Sequence, residues 1–341
     1  MRKKGLALVI TSALLLTQTA FAEASTTLRL AAFWPAGSEI TKGIIDQWAD
    51  TVAEASNGEL KIQVFPSETL AKADQSYQAT VNGIADITVT TQGYTAGRFP
   101  VTQIVELPGI SNSSTQGSCV AQRLLDEQPL VADEYRDSHV LFVFTTGPGF
   151  ISTQETKIET PEDLTGLRIR RPTTVVGELL DSLGAQPVGM PGPEMYTAMQ
   201  RGVIDGVTLP WEGLKTFHLN ELAHYHTVMP LYSMAFVATM NQRSYERLPA
   251  ALKQVIDDNS GMKWALKAGA VFDRVDQQGR EESRGGDHHV LEVANPLDDP
   301  NWGPPLKRAT EKYLEELEER DLPAQQIYRQ AQTASKQCES A

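Results

Sequence analysis

An α/β protein of two related lobes, with a ligand cleft between them, is what the sequence predicts, and three observations lead there. Short β-rich runs alternate with helix-patterned segments, the mark of largely parallel sheets covered by helices. A β-α-β-α-β order occurs twice, from Thr27 and again from Gly166. Each occurrence carries a Tyr…Gly…Asp set of identical spacing, Tyr77/Gly83/Asp86 and Tyr196/Gly202/Asp205. At 341 residues and 41% hydrophobic content, the chain has enough apolar material for more than one core.

In the first copy, Thr27 to Ala32 alternates as a strand and ends at Phe33-Trp34-Pro35. Ile40 to Ala55 has helical apolar spacing, and Asn57-Gly58 stops it. Leu60 to Phe65 is a strand closed by Pro66; a helix around Tyr77 to Val81 and a strand from Ile87 to Thr91 follow. In the second copy, Gly166 to Arg170 is a strand ending at Pro172, and Val175 to Leu183 is a helix stopped by Gly184. Gln186 to Met190 is a strand closed by Pro191, Tyr196 to Gln200 a helix, and Gly206 to Leu209 the last strand. The glycine of each Tyr…Gly…Asp set suits a helix C-terminal turn at positive φ.

Val140 to Thr146 is a further strand, and its exit, Gly147-Pro148-Gly149-Phe150, has the composition of a crossing between lobes. Met240 to Arg284 is helix-rich, with a long helix over Gly261 to Gly279, and Lys307 to Gln330 is a charged amphipathic helix broken near Pro323. On this pattern the first lobe takes 23–147 with 236–276, and the second takes 148–235 with 277–341.

Open α/β sheets bind ligands beyond the carboxyl ends of their strands. In the first lobe those ends carry Phe33, Trp34 and the Thr90 to Tyr94 segment. In the second they carry Arg170, Arg171, Leu209 and Trp211, with Glu212 just behind.

The charge narrows the partners. With 43 acidic against 30 basic residues the net charge is −13, which repels nucleic acids and anionic membranes. The chain has no Gly-x-Ser-x-Gly nucleophile turn, no Walker loop and no Gly-x-Gly-x-x-Gly turn, so a non-enzymatic role is expected, with no cofactor. His218, His224 and His226 invite a metal site, but a His-x-His pair without a carboxylate partner is weak, and His288-His289 has less claim; no metal is expected. Two cysteines, Cys119 and Cys338, exclude a disulfide scaffold and a cysteine-rich metal site.

Met1-Arg2-Lys3-Lys4, an apolar run from Gly5 to Leu16, and Ala20-Phe21-Ala22 read as a signal peptide over 1–22. Its apolar stretch is too short for a permanent anchor. Cleavage after Ala22 leaves 27 basic and 43 acidic residues, and a periplasmic product. That compartment permits a disulfide. A Cys119–Cys338 bond would tether the tail; two free thiols are the alternative.

The run Thr160-Pro161-Glu162-Asp163-Leu164-Thr165-Gly166-Leu167-Arg168-Ile169-Arg170-Arg171-Pro172 resembles the signature of TRAP (tripartite ATP-independent periplasmic) transporter solute-binding proteins of the DctP type. Gly184 to Met190, the Glu194 to Gln200 helix, Val203-Ile204-Asp205-Gly206, Asn82 to Asp86 and Glu106-Leu107-Pro108 also fit, in order, over nearly the whole mature chain. The resemblance implies a two-lobe periplasmic-binding-protein fold with a long helix along both lobes. It also implies a receptor that closes over a small solute and delivers it to a TRAP permease; a monomer is the default expectation. A sensing module that presents the solute to a membrane receptor is the alternative partnership.

In the family, the arginine two places before this proline pairs with the ligand carboxylate, which selects Arg170. Its planar fork suits bidentate capture of a carboxylate; the plainer reading is an ion pair on the lobe surface. Arg168 and Arg171 are expected to be structural. Two polar positions common in sialic-acid and dicarboxylate receptors are replaced here, by Phe150 and by Leu209 before Pro210. Two solutes follow. A monocarboxylate, aromatic or hydroxylated, would be held by Arg170 with aromatic walls from Phe33, Trp34, Tyr94, Phe150 and Trp211. A small amine such as ethanolamine would be caged by Trp34, Trp211 and Phe150 through cation–π attraction, with Glu212 or Glu39 as counter-charge. The tryptophans have a bland reading too, as lobe-packing residues. The acid is placed first because the arginine motif is intact.

Overall fold

In the computed structural model, residues 25–285 and 287–341 are described. The leader expected over 1–22 lies outside them. Strand β1 (Thr26–Ala32) lies between two parallel partners, β2 (Leu60–Phe65) and β3 (Ile87–Thr91). A π-turn at Thr41–Asp46 runs into α1 (Gln47–Ala55), and α2 (Ser76–Val81) precedes β3. After α3 (Ser114–Glu127) and α4 (Pro129–Asp133) comes the long β4 (Ser138–Thr153).

The second copy is β5 (Arg168–Arg171), α5 (Thr174–Ser182), β6 (Gln186–Gly189), α6 (Met195–Gln200) and β7 (Gly206–Leu209). It is followed by α7 (Trp211–Thr216), β8 (Tyr225–Asn241), α8 (Gln242–Glu246), α9 (Ala250–Asp258) and α10 (Met262–Glu282). Strand β9 (His289–Glu292), α11 (Gly303–Glu318) and α12 (Ala324–Gln337) close the chain.

Among the described residues the strands form one sheet, in the order β2-β1-β3-β8-β4-β7-β5-β6, with β9 beside β8. The largely parallel expectation is therefore corrected. Each copy is parallel within itself, but β8 is antiparallel to β3 and β4, and β4 is antiparallel to β7. These two long strands pass from one lobe into the other. The Gly147 to Phe150 crossing is a bulged stretch within β4, with register shifts at Thr145/Pro148 and Gly149/Ile151. Such bulges bend a strand without ending it. The sequence pattern had shown no strand over most of β8, since 12 of its last 14 positions, all but Val228 and Pro230, are buried and so do not alternate.

The repeat extends to two of its Arg–Asp bonds, although Arg168 Nη2 adds a third to Asp205 at 2.6 Å where Arg29 Nη2 donates to Gly83 O at 3.1 Å. Asp86 accepts from the backbone N–H and Nε of Arg29, at 2.9 and 3.2 Å; Asp205 accepts from the same groups of Arg168, at 2.8 and 3.0 Å. Gly83 and Gly202, just after the helices, have φ of +74° and +64°, which a side chain would disfavour.

Helix α10 binds both lobes. Its Asp273 carboxylate accepts from the N–H groups of Ser114 and Thr115, at 2.6 and 2.9 Å, at the start of α3. One turn on, Asp276 accepts from Glu212 N–H at 3.0 Å at the start of α7. Both carboxylates sit where helix N-termini are short of acceptors. The two cysteines are bonded, with Cα atoms 5.9 Å apart, and join α3 to the end of α12. Helix α11 lies on α5 of the second lobe, but α12 lies on α3 of the first. The last helix thus departs from the boundary that had assigned all of 277–341 to the second lobe, because its apolar face and Cys338 are satisfied by α3. No helix among the described residues is long and apolar enough to cross a membrane.

Candidate functional site

Arg170 is carried to the cleft by the alternation of β5: Arg168 faces Asp205, and Arg170 lies two residues further towards the strand end. The side chain is fully buried. Its Nε donates to Met190 O at 3.0 Å, Nη1 to Thr208 O at 3.4 Å, and Nη2 to Tyr94 Oη at 3.2 Å. Among the described residues no carboxylate lies within ion-pair distance of it. A buried guanidinium bonded only to neutral acceptors is costly and favours an anion beside it.

Tyr94, from the first lobe, completes this corner. Its oxygen accepts from Arg170 and also from Gly192 N–H at 2.8 Å. Burial raises the phenol's pKa, and Arg170 pulls it back down. Two accepted bonds leave the Tyr94 hydroxyl proton free to donate to a further oxygen. Phe33 lies 5.7 Å from the Tyr94 ring and stacks on Trp34 at 4.0 Å. On the other side, the Phe217 ring stands so close over Gly192 that an added Cβ would meet it at 2.8 Å.

A cavity of about 460 Å³ opens between the lobes at these rings, lined by Phe33, Pro35 and Glu68 from one and by Tyr196, Phe217 and Glu221 from the other. Sequence reasoning had not selected Phe217, Glu68 or Glu221, nor given Tyr196 a site role. The repeat was the one available signal for Tyr196, since its partner Tyr77 is buried in the first lobe against Phe99.

The other sequence-selected residues lie elsewhere. Trp34 packs on Phe236 and Phe272, at 5.1 and 6.4 Å. Phe150 packs on Trp211 at 4.6 Å, and Trp211 on His226 at 4.9 Å, beside a separate cavity of about 270 Å³. Leu209 pairs with Phe150 across β4 and β7. The cage expected of Trp34, Trp211 and Phe150 is therefore not assembled: these rings belong to different clusters, each filled by its own packing.

The two proposed counter-charges are engaged. Glu212 is buried and accepts from Thr216 Oγ1 at 2.6 Å; burial pushes its carboxyl up to about 8, Thr216 opposes this, and Asp276 adds to it. Glu39 pairs with Arg274 at 2.6 Å and Lys215 at 3.4 Å; burial works to raise it, but these cations hold it below its usual range. His226 Nδ1 meets Ser152 Oγ at 2.9 Å and Nε2 meets His288 Nδ1 at 3.0 Å. Among the described residues no group of three metal-ligating side chains is placed to hold an ion.

The family model for bacterial extracellular solute-binding protein family 7, DctP, matches residues 30–268. A TRAP solute-binding protein from a marine metagenome, specific for aromatic acid ligands and solved with metahydroxyphenylacetate, is 31% identical; the match covers 93% of this chain and 100% of that one, with a TM-score of 0.86. Another, from Rhodoferax ferrireducens T118 and solved with copurified benzoate, is 30% identical over 92% of this chain and 98% of that one, with a TM-score of 0.84. Among curated proteins, the outer membrane transporter protein TsaT of Comamonas testosteroni is 28% identical over 66% of this chain and 68% of its own. The repeated lobes, the cleft with a buried arginine and these matches converge: the chain belongs to the DctP family of extracellular solute-binding proteins, the periplasmic TRAP receptors, which bind small organic acids for a membrane permease and are not enzymes.

Proposed function

We propose that this receptor takes a monocarboxylic acid with an aromatic or hydroxylated body. Arg170 holds the carboxylate, Tyr94 donates to it, and Phe33 and Phe217 flank the body. The observation that carries this reading is the buried Arg170 fork, which among the described residues has carbonyls and a phenol but no acid as partners. A carboxylate fits that fork in two parallel bonds and offsets the cost of the buried charge. A cavity of about 460 Å³ accommodates one substituted ring. The similar proteins solved with metahydroxyphenylacetate and with benzoate favour the same class. The amine reading lacks an assembled cage, and both of its counter-charges already have partners. The receptor acts as a monomer, closing by a hinge at the β4 and β8 crossings.

Calorimetry across organic acids and amines at constant pH tests the assignment. An aromatic or hydroxy monocarboxylate is expected to bind, and Arg170→Ala to abolish its binding. An amine ligand, or acid binding that survives Arg170→Ala, overturns it.

A further inference from the structure

Helix α10 carries pieces of both lobes side by side. From the first lobe, the π-turn lies on it so closely that a Cβ at Gly43 would meet Val271 at 3.0 Å. From the second, α7 lies on it: a Cβ at Gly279 would meet Trp211 O at 2.5 Å, and Asp276 accepts from Glu212 N–H. These approaches bring Glu39, just before the π-turn, opposite Lys215 on α7. Lys215 Nζ stands 3.4 Å from Glu39 Oε1 and 2.7 Å from Glu282 Oε1, while Arg274 Nη1 donates to Glu39 Oε2 at 2.6 Å. The Arg274 and Glu282 bonds fasten each side to α10; the longest of the three contacts, Glu39–Lys215, joins one lobe directly to the other. Glu39 is 34% and Lys215 25% exposed, so the pair is partly sheltered. Burial opposes both charges, yet Arg274 and Lys215 hold Glu39 below its usual range, and Glu282 and Glu39 hold Lys215 above its own. Neither residue lines the solute cavity, but both line a neighbouring one of about 480 Å³, which shares Pro35, Thr216, His218 and Glu221 with it.

We propose that Glu39 and Lys215 form an electrostatic latch across the cleft, made when the lobes close and broken when they part, which sets how long the solute stays bound without touching it. This rests on the reading above that the receptor closes over its solute by a hinge at β4 and β8. When the lobes part, Lys215 keeps Glu282 and Glu39 keeps Arg274, so the latch releases without leaving either charge alone. A cross-lobe pair with no second partners would be far costlier to open, since each charge would be left uncompensated. A bond present in the closed state and absent from the open one favours closure and slows escape. Entry through the open state does not depend on it, so its effect falls on the off-rate.

The test follows benzoate by stopped-flow, with a dye pair on Gln78→Cys and Thr197→Cys, exposed and equivalent positions of α2 and α6 whose separation reports closure. The native cysteines are bonded to each other and take no dye. Benzoate is expected to draw the pair together. Lys215→Met and Glu39→Gln should each raise the off-rate about two- to fivefold with the on-rate within about twofold of wild type, and Lys215→Arg should stay near wild type. The double variant should do no more than the worse single, because both remove the same bond. Salt at about 0.5 M should erase the difference between wild type and Lys215→Met. Off-rates raised less than about twofold in both singles, or effects that sum in the double, overturn the latch and leave the Arg170 assignment and the hinge standing. Dyes that stay apart when benzoate is added overturn the hinge and the latch together.

Discussion

The two lobes are built alike and do different work. Leu30 pairs with Ile87 in the first and Ile169 with Gly206 in the second, so the register places Ala31 and Arg170 at equivalent positions. Both are buried, one strand position beyond the paired leucine and isoleucine. The first lobe has a methyl group where the second has a guanidinium, and it contributes Phe33, Tyr94 and Glu68 instead. The tyrosines of the repeat diverge as well: Tyr77 is core, while Tyr196 lines the cavity and bonds Glu221. A duplicated frame kept by corresponding Arg–Asp bonds has thus become asymmetric at its strand ends, so that one lobe supplies the charge and the other the cover.

If that division is right, losses on the two sides should be unequal. Arg170→Ala is expected to weaken acid binding at least roughly a hundredfold by calorimetry, because truncating one partner of a buried charge pair costs about 2–5 kcal/mol. Arg170→Lys should recover little, since a point charge cannot reproduce the fork. Tyr94→Phe, on the covering side, removes a neutral donor together with the acceptor for Arg170 Nη2 and Gly192 N–H, and should cost about tenfold, less than Arg170→Ala. Equal losses at Arg170 and Tyr94 would break the comparison.

A second asymmetry lies in how the lobes are fastened. The disulfide closes a sequence separation of 219 residues and ties α12 to the first lobe only. Cys119→Ser/Cys338→Ser should lower stability by up to about 5 kcal/mol on the chain-entropy account, measured by denaturant unfolding. The loosening should be greatest in α12 and α3, read by hydrogen exchange.

Both lobes also bury acids near the cleft. Glu106 in the first is pushed up to about 7 by burial, against the pull of Thr173 and the Ala235 N–H, and Glu212 in the second to about 8. A raised native pKa means that the folded chain holds a proton which the unfolded chain releases. Their contribution to stability is therefore full below about pH 4.5 and is lost as pH rises towards 7 for Glu106 and 8 for Glu212. Melting temperature should fall across that window, and Glu212→Gln, which keeps an acceptor for Thr216, should flatten the upper part of the fall. An unchanged slope would remove Glu212 as its cause.

The smallest effects test the repeat itself. Asp86→Ala and Asp205→Ala each remove two corresponding arginine bonds and one further bond, from Ser244 Oγ and from Arg168 Nη2 respectively, and should lower the melting temperature alike, by a few degrees each. Summed effects in the double variant are expected, since the sites share no partner. A large difference between the two would mean that the bonding symmetry does not carry equal weight in the lobes.

Much of this was legible in the chain. The spacing of Tyr77/Gly83/Asp86 and Tyr196/Gly202/Asp205 disclosed the duplication, because a helix end, a left-handed turn and a strand start are local and leave local marks. Arg170 stood out because it sits at a strand end two residues before a proline, the place where the family resemblance puts the arginine that pairs with a ligand carboxylate. The aromatic residues were harder. Phe33 and Tyr94 do meet Arg170, while Trp34, Phe150 and Trp211 sit in packed clusters, and no local pattern separates a ring that faces a cavity from one that fills a core.

By itself, then, the amino-acid order determined the repeated units and the family, since each rests on contacts within a few residues or on periodicity along one element. Tertiary structure alone decided the long antiparallel crossings of β4 and β8, the pairing of Cys119 with Cys338, and the meeting of Phe217, Glu68 and Glu221 around one cavity. Those outcomes join residues distant in sequence, and they depend on which surfaces bury one another, a choice that is made only when both lobes have folded.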